Sequence, residues 1–425
     1  MAIAPSSIEL VLTVFLGIML FASILSIKGR IPYTLILVFI GIALTLTTAN
    51  LPLPSSIQYG LSQVRSMASV LIPQGQTGGQ VGGLFVGLVV PPLIFEAMMH
   101  INTKDLRAIL RPAVLLATVG VGIATAVTGL VLWLAAGLSF SAAFLFAAVI
   151  SPTDTATVIE IFHRLKVPSK LSSMLELEAA LNDATAIVIV AAVLGSLTAP
   201  QFPLLGDLGS FVVTFGGGVV VGFLIAFFSG ILHSLLSDEF SETILSIFAV
   251  YGSYTLAAAS GFSGLIAVTI VGLYFGNVTL KSSKNPATKE TISVFWQIAA
   301  FVGNSIAFLF IGVETQISVI GPALSFIVLA YIAVMVSRMA TVYPILSIFS
   351  RVGEKIPLKW MNVATLGGMR GALSIALALS LATTGTALIS SIEAATINAM
   401  VLGVAFISIT AQGGFLYRYV RRNFK

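Results

Sequence analysis

Stretches of roughly 20 predominantly apolar residues, each long enough for a helix to cross a hydrocarbon core, follow one another along almost the whole chain, beginning with Glu9 to Ser26. Few folds accept such a pattern. In lipid no water satisfies an exposed backbone N–H or C=O, so each run has to close its hydrogen bonds internally, as a helix. Composition agrees: 57% of the 425 residues are hydrophobic and 9% are charged, too little polar surface to clothe a soluble particle. The first run is followed at once by another and lacks a basic leading segment or a small-residue cleavage site. It reads as a span, not as a signal peptide.

Reading apolar runs against glycine, proline and charge punctuation predicts helices near 9–27, 31–49, 81–98, 112–136, 139–160, 173–197, 209–236, 242–259, 261–277, 291–314, 317–349, 361–384 and 392–416, an all-α polytopic membrane protein of about thirteen helices. Basic residues collect in alternate loops: Lys28 and Arg30; Lys104, Arg107 and Arg111; Arg164, Lys166 and Lys170; Lys281, Lys284 and Lys289; Arg351, Lys355 and Lys359; and the C-terminal Arg418, Arg421, Arg422 and Lys425. The loops between them carry Arg65 or no base, which places the N-terminus outside and the C-terminus in the cytoplasm. The net charge of +5 thus reflects topology, and no nucleic-acid partner is expected. Residues 50–80 form the one long outer loop, expected as a covering flap or short surface helix. Residues 1–425 read as a single membrane domain without an attached soluble regulatory domain. With no cysteine, disulfides, thiolate metal sites and a cysteine nucleophile are excluded.

An ionisable group at the bilayer centre costs a few kcal/mol or more, so each one demands a partner, an aqueous cavity or a function. Arg338 and Arg370 are the two of 21 basic residues that fall inside apolar helices, together with Glu96, Asp154, Glu176, Glu178 and Asp183. Three carboxylates and Asn182 occur within eight residues of the span at 173–197. At about 100° per residue, Glu178 and Asn182 share a face, whereas Asp183 lies about 20° from Glu176 and about 140° from Glu178. Two faces imply two tasks. Glu176 opens an ion path from the cytoplasm towards Asp183, while Glu178 turns to a fixed cation, with Arg338 the natural candidate. Glu96, after Pro91-Pro92, is read as pairing with Arg370, although the partners can be exchanged. An arginine keeps its proton, so such pairs are struts and not proton carriers. His100, His163 and His233 fall at expected helix ends and read as solvated or interfacial.

Two spans are interrupted, one by Ser151-Pro152-Thr153-Asp154-Thr155 and the other by Gly367-Gly368-Met369-Arg370-Gly371. Broken helices in corresponding halves mark the midplane site of a transporter. Asp154 and Asp183 are the carboxylates left over for chemistry. Oxygen ligands suit a hard cation such as Na⁺, and the unwound backbone around Thr153 adds carbonyls and a hydroxyl. A proton and a cation competing for the same oxygens at an alternately exposed site is antiport.

PPLIFEA at 91–97, SPTD at 151–154, ELEAALNDATA at 176–186, FLFIGVE at 308–314, Arg338 in VSRMA and GGMRGALS at 367–374 together resemble the NhaP-type sodium/proton antiporters, the group that includes the animal sodium/proton exchangers. The resemblance implies an inverted-repeat fold of thirteen helices with the fifth and twelfth broken and crossing. It implies a mobile core (about 112–197 and 317–416), a dimerisation part made of the other helices, a homodimer, and a prokaryotic cytoplasmic membrane. It also implies roles: Asp183 as proton and cation carrier, Asn182 as its neighbour in an Asn-Asp pair and a further cation-binding residue, Asp154 as a supporting carboxylate and Thr153 as a ligand from the unwound helix, Glu178–Arg338 as a buried ion pair and Glu96–Arg370 as a second. No cofactor is implied beyond the transported Na⁺ and H⁺. The chain departs from the family at Ala179, where a serine commonly helps to coordinate the cation, and at Thr155, where proline is common.

With Asn182 neutral, one titratable carboxylate fewer is available than in relatives carrying an Asp-Asp pair at this place, and every lysine lies in a loop, which predicts electroneutral transport of one cation per proton. Because of Ala179, K⁺/H⁺ or Ca²⁺/H⁺ antiport stands as the alternative to Na⁺ or Li⁺. An intramembrane aspartyl protease also needs two embedded aspartates, but its Tyr-Asp and Gly-x-Gly-Asp motifs are absent. A cation channel would conduct without proton coupling.

Overall fold

The computed structural model describes residues 5–29, 33–50, 83–101, 103–165, 167–198, 204–282, 286–314, 321–352, 356–371, 373–375, 377–378 and 389–424. Beyond Asn50, the expected outer loop at 50–80 lies outside the described residues, as does most of 372–388. All regular elements among the described residues are helices. They are α1 (Pro5–Gly29), α2 (Tyr33–Asn50), α3 (Gly83–Met99), and α4, which runs through Thr103–Leu115, a π turn at Leu116–Gly120, and Val121–Ala136. Next come α5 (Phe140–Ile150), α6 (Ala156–Leu165), α7 (Ser169–Thr198), α8 (Leu204–His233) and α9 (Glu239–Ala259). α10 runs from Gly264–Tyr274 through a π turn at Phe275–Thr279 to Leu280–Ser282. α11 (Pro286–Glu314), α12 (Leu324–Val352) and α13 (Leu358–Leu366) precede α14, which comprises Ser391–Ile407, a π turn at Ser408–Gln412 and Gly413–Asn423.

Among the described residues, seven helical stretches are long and apolar enough to cross a bilayer, and four further apolar stretches are shorter. α8 exposes Val213, Phe223, Phe227 and Phe228 on its outer side, and a helix that is apolar all round and exposed belongs in lipid. The ends of several helices are set by polar or glycine punctuation. Ser139 accepts from the Ala142 amide at the start of α5, after Gly137 has closed α4 at φ +67°, a conformation that glycine adopts without steric cost. Asp238 caps α9, and Ser390 with Glu393 forms a capping box on α14.

Small residues decide how closely the helices pack. A Cβ on Gly41 of α2 or Gly312 of α11 would fall onto the other helix's backbone, and one on Gly222 of α8 onto that of Ala267 in α10. Lipid tails are as apolar as leucine, so association rests on such close contact.

The interruptions form where the sequence places them. α5 ends at Ile150 and α6 begins at Ala156, with Pro152 between them unable to donate to a helical ladder. α13 ends at Leu366, and the backbone through Gly367 to Gly371 is non-helical. The two breaks touch: the Asp154 amide donates to the Met369 carbonyl at 2.8 Å, an isolated antiparallel bridge.

Candidate functional site

A helix that stops in mid-bilayer strands backbone groups that need partners. Asn182 of α7 supplies them for Thr153. Its side-chain amide donates to Thr153 Oγ1 at 2.6 Å, and its oxygen accepts from the Thr153 amide at 3.4 Å. At the C-terminal end of α5, where carbonyls point outward and the macrodipole is negative, Arg370 donates through Nη1 to the Ser151 carbonyl and, at 3.1 Å, to that of Pro152. Arg370 therefore reaches from one break into the other. Gly371 lies against the Asp154 carboxylate so closely that a Cβ there would overlap it.

Glu178 and Arg338 meet in a buried bidentate pair, with Nη2 to Oε2 at 3.0 Å and Nη1 on Oε1. The Arg338 Nη2 also donates to the Ala364 carbonyl of α13 at 3.0 Å, so one guanidinium ties α7, α12 and the end of α13 together. The expected link between Glu96 and Arg370 does not form in this arrangement. The break at Ser151 and Pro152 leaves carbonyls in need of a cation, and Arg370 answers them, while Glu96 stands with Oε1 3.4 Å from Nδ1 of His100, just past the end of its helix.

Asp183, Asp154, Thr153, Glu176, Glu96 and Ala179 line one cavity of about 290 Å³. Glu176 accepts from Ser172 at 2.7 Å. Asn182 is not among the lining residues; it is buried behind Thr153. Thr155 lines it as well, and sequence reasoning missed Gln297, Asn304 and Ser374, which add to the polar lining. A signal existed for two of them: Gln297 and Asn304 are seven apart in an apolar span and so share a helical face. His233 departs from expectation as well. It is 4% exposed, with Nδ1 3.2 Å from Oε2 of the equally buried Glu242, because α8 turns tightly into α9 and packs the two helix ends together. The side chain of His163 lies outside the described part.

Carboxylates that line a cavity where two interrupted helices meet, with the buried guanidiniums committed to a carboxylate and to carbonyls, define the chain as a membrane carrier of cations. The sequence profile described as sodium/hydrogen exchanger, transmembrane, matches residues 11–422, and the chain belongs to that family. It is 32% identical to the low-affinity Na⁺/H⁺ antiporter NhaS1 of Synechocystis over 95% of this chain and 72% of that one. It is also 32% identical to the Na⁺/H⁺ antiporter ApNhaP of Aphanothece halophytica, again over 95% and 72%. The fold matches the structure of the sodium proton antiporter MjNhaP1 from Methanocaldococcus jannaschii with a TM-score of 0.74, at 20% identity over 98% of this chain and 99% of that one.

Proposed function

We propose that this chain is a secondary active Na⁺/H⁺ antiporter of the NhaP type, with Asp183 as the group that carries H⁺ and Na⁺ in turn. The observation that carries this reading is the shared cavity: Asp183 and Asp154 face it together, while the Glu178 carboxylate is held by Arg338. A carboxylate locked to a guanidinium does not cycle its proton; one that opens onto a cavity does. Na⁺ takes oxygens from Asp183, Asp154 and Thr153, with water completing its shell, and protonation of Asp183 releases it. Asn182 then acts through Thr153, whose hydroxyl and amide it orients, and not as a ligand itself. Glu176 and Glu96 line the same cavity and draw cations towards the site from the cytoplasmic side.

The likeness to MjNhaP1 supports a shared arrangement of the helices; on the alternation of basic loops we further infer an N-terminus outside, and we extend the reading to an inverted repeat of thirteen helices with a core that moves against a dimerisation part in a homodimer. The core contains α4 to α7 and α12 to α14. One carboxylate loaded alternately by Na⁺ and H⁺ gives electroneutral exchange. A K⁺/H⁺ reading draws on one observation, that the cavity wall at Ala179 is a methyl. With fewer fixed ligands, the site discriminates less against a larger cation.

The test is dissipation of an imposed pH gradient in proteoliposomes by Na⁺, Li⁺, K⁺ and Ca²⁺ in turn, with and without Asp183→Asn. The wild type should respond to Na⁺ and Li⁺, and Asp183→Asn should be silent to every cation. Full exchange by Asp183→Asn refutes the assignment.

A further inference from the structure

Among the described residues, the break at Gly367–Gly371 is held by no asparagine. Its partners come instead from the π turn Ser408–Gln412 of α14. Ser408 is buried, and its hydroxyl accepts from the Arg370 amide at 3.1 Å while donating to the Ala405 carbonyl at 2.8 Å. Gln412, also buried, donates from Nε2 to the Leu366 carbonyl at 2.7 Å, the last carbonyl of α13. Its oxygen accepts from Tyr331 Oη at 3.3 Å. Both ends of the unwound segment are thus gripped from one helix, four residues apart in a π turn, a distortion that concentrates at functional sites.

The grip leads to the ion site. Met369, inside the held segment, accepts from the Asp154 amide; Arg370 crosses to the Ser151 and Pro152 carbonyls; and Gly371 abuts the Asp154 carboxylate. The first break is held in a parallel way, by Asn182 from α7, the long helix that follows it in sequence. We infer that Ser408 and Gln412 are positioning residues of the exchange site, the counterparts of Asn182 for the second break, and that they set the place of the Asp154 carboxylate through Met369, Arg370 and Gly371. This rests on the antiport reading for its kinetic consequence but not for its structural one.

The experiment uses the full chain with Ser408→Ala, Ser408→Thr and Gln412→Met. Hydrogen–deuterium exchange should show faster amide exchange in peptides spanning 151–155 and 367–371 for Ser408→Ala and Gln412→Met, with α8 and α9 unchanged and Ser408→Thr like the wild type. In proteoliposomes the KM for Na⁺ should rise about fivefold in Ser408→Ala, the scale of one lost buried hydrogen bond, with the maximal rate changed less, and Ser408→Thr should restore it. Unchanged exchange over 151–155 in both deletion variants overturns the inference, as does equal impairment by Ser408→Thr and Ser408→Ala. If the wild type transports no cation, the antiport reading fails, and deuterium exchange still decides the positioning role. If Ser408→Ala does not fold, Gln412→Met carries both readouts.

Discussion

Glu178 and Asp183 lie on one helix, are the same kind of acid to a sequence scan, and meet opposite environments. Glu178 is buried and shares two hydrogen bonds with Arg338, whereas Asp183 lines a cavity. Removing one partner of a buried pair leaves an uncompensated charge and costs about 3–5 kcal/mol, while replacing both with well-packed apolar residues is often nearly neutral. Glu178→Ala and Arg338→Ala should therefore each lower the thermal unfolding midpoint sharply, and Glu178→Leu combined with Arg338→Met should recover much of it. Asp183→Asn, exchanging a cavity-facing carboxylate for an amide of the same shape, should leave the midpoint close to that of the wild type while abolishing transport. Thermal unfolding of all four purified variants in one detergent checks this separation. A double variant no more stable than the singles would mean that the pair does more than neutralise charge.

Helices in this chain approach one another through glycine, and the consequence belongs to whole elements. At the crossing of α2 and α11, Gly41 and Gly312 bring backbone against backbone, so Gly312→Val has no flexible side chain to displace and must push the helices apart. Overpacking costs about 1–3 kcal/mol even where side chains give way. Since α11 also carries Gln297 and Asn304 into the cavity, Gly312→Val should lower both the unfolding midpoint and the exchange rate. Gly17→Val, on α1 where a Cβ meets open space, should change neither. Elements of this kind were legible where the sequence breaks a pattern. Proline within SPTD and the glycines of GGMRG announce both interruptions, and the density of acids at 176–183 announces the site. Partners across the bundle were not legible. Nothing local to Arg370 says that it serves the Ser151 carbonyl and not Glu96, because that choice depends on how two breaks cross. SITAQ at 408–412 reads as ordinary apolar helix, and its π turn shows only in three dimensions. His233 and Glu242 are nine residues apart, and only the tight return of α8 into α9 makes them a buried pair.

Across the whole molecule, the placement of charge decides the stoichiometry. Among the described residues, the buried cations are Arg338, held by Glu178, and Arg370, held by backbone carbonyls, so in the proposed cycle each is a fixed charge. On the proposed mechanism the charge that alternates is that of the cavity carboxylates. If Asp183 crosses loaded with Na⁺ in one direction and with H⁺ in the other, the core carries the same charge both ways and no net charge moves. Moving one elementary charge through 100 mV is worth about 2.3 kcal/mol, enough to change the rate of an electrogenic cycle severalfold. Exchange measured in proteoliposomes at zero and at an imposed 100 mV of either sign should proceed at the same rate, while a drop in pH on the cation side should raise the KM for Na⁺ without lowering the maximal rate, as competition for one carboxylate requires. A rate that follows the voltage would mean that a second proton crosses with the first. Asp154, the other aspartate on the cavity, would then be a second carrier and no longer a fixed ligand.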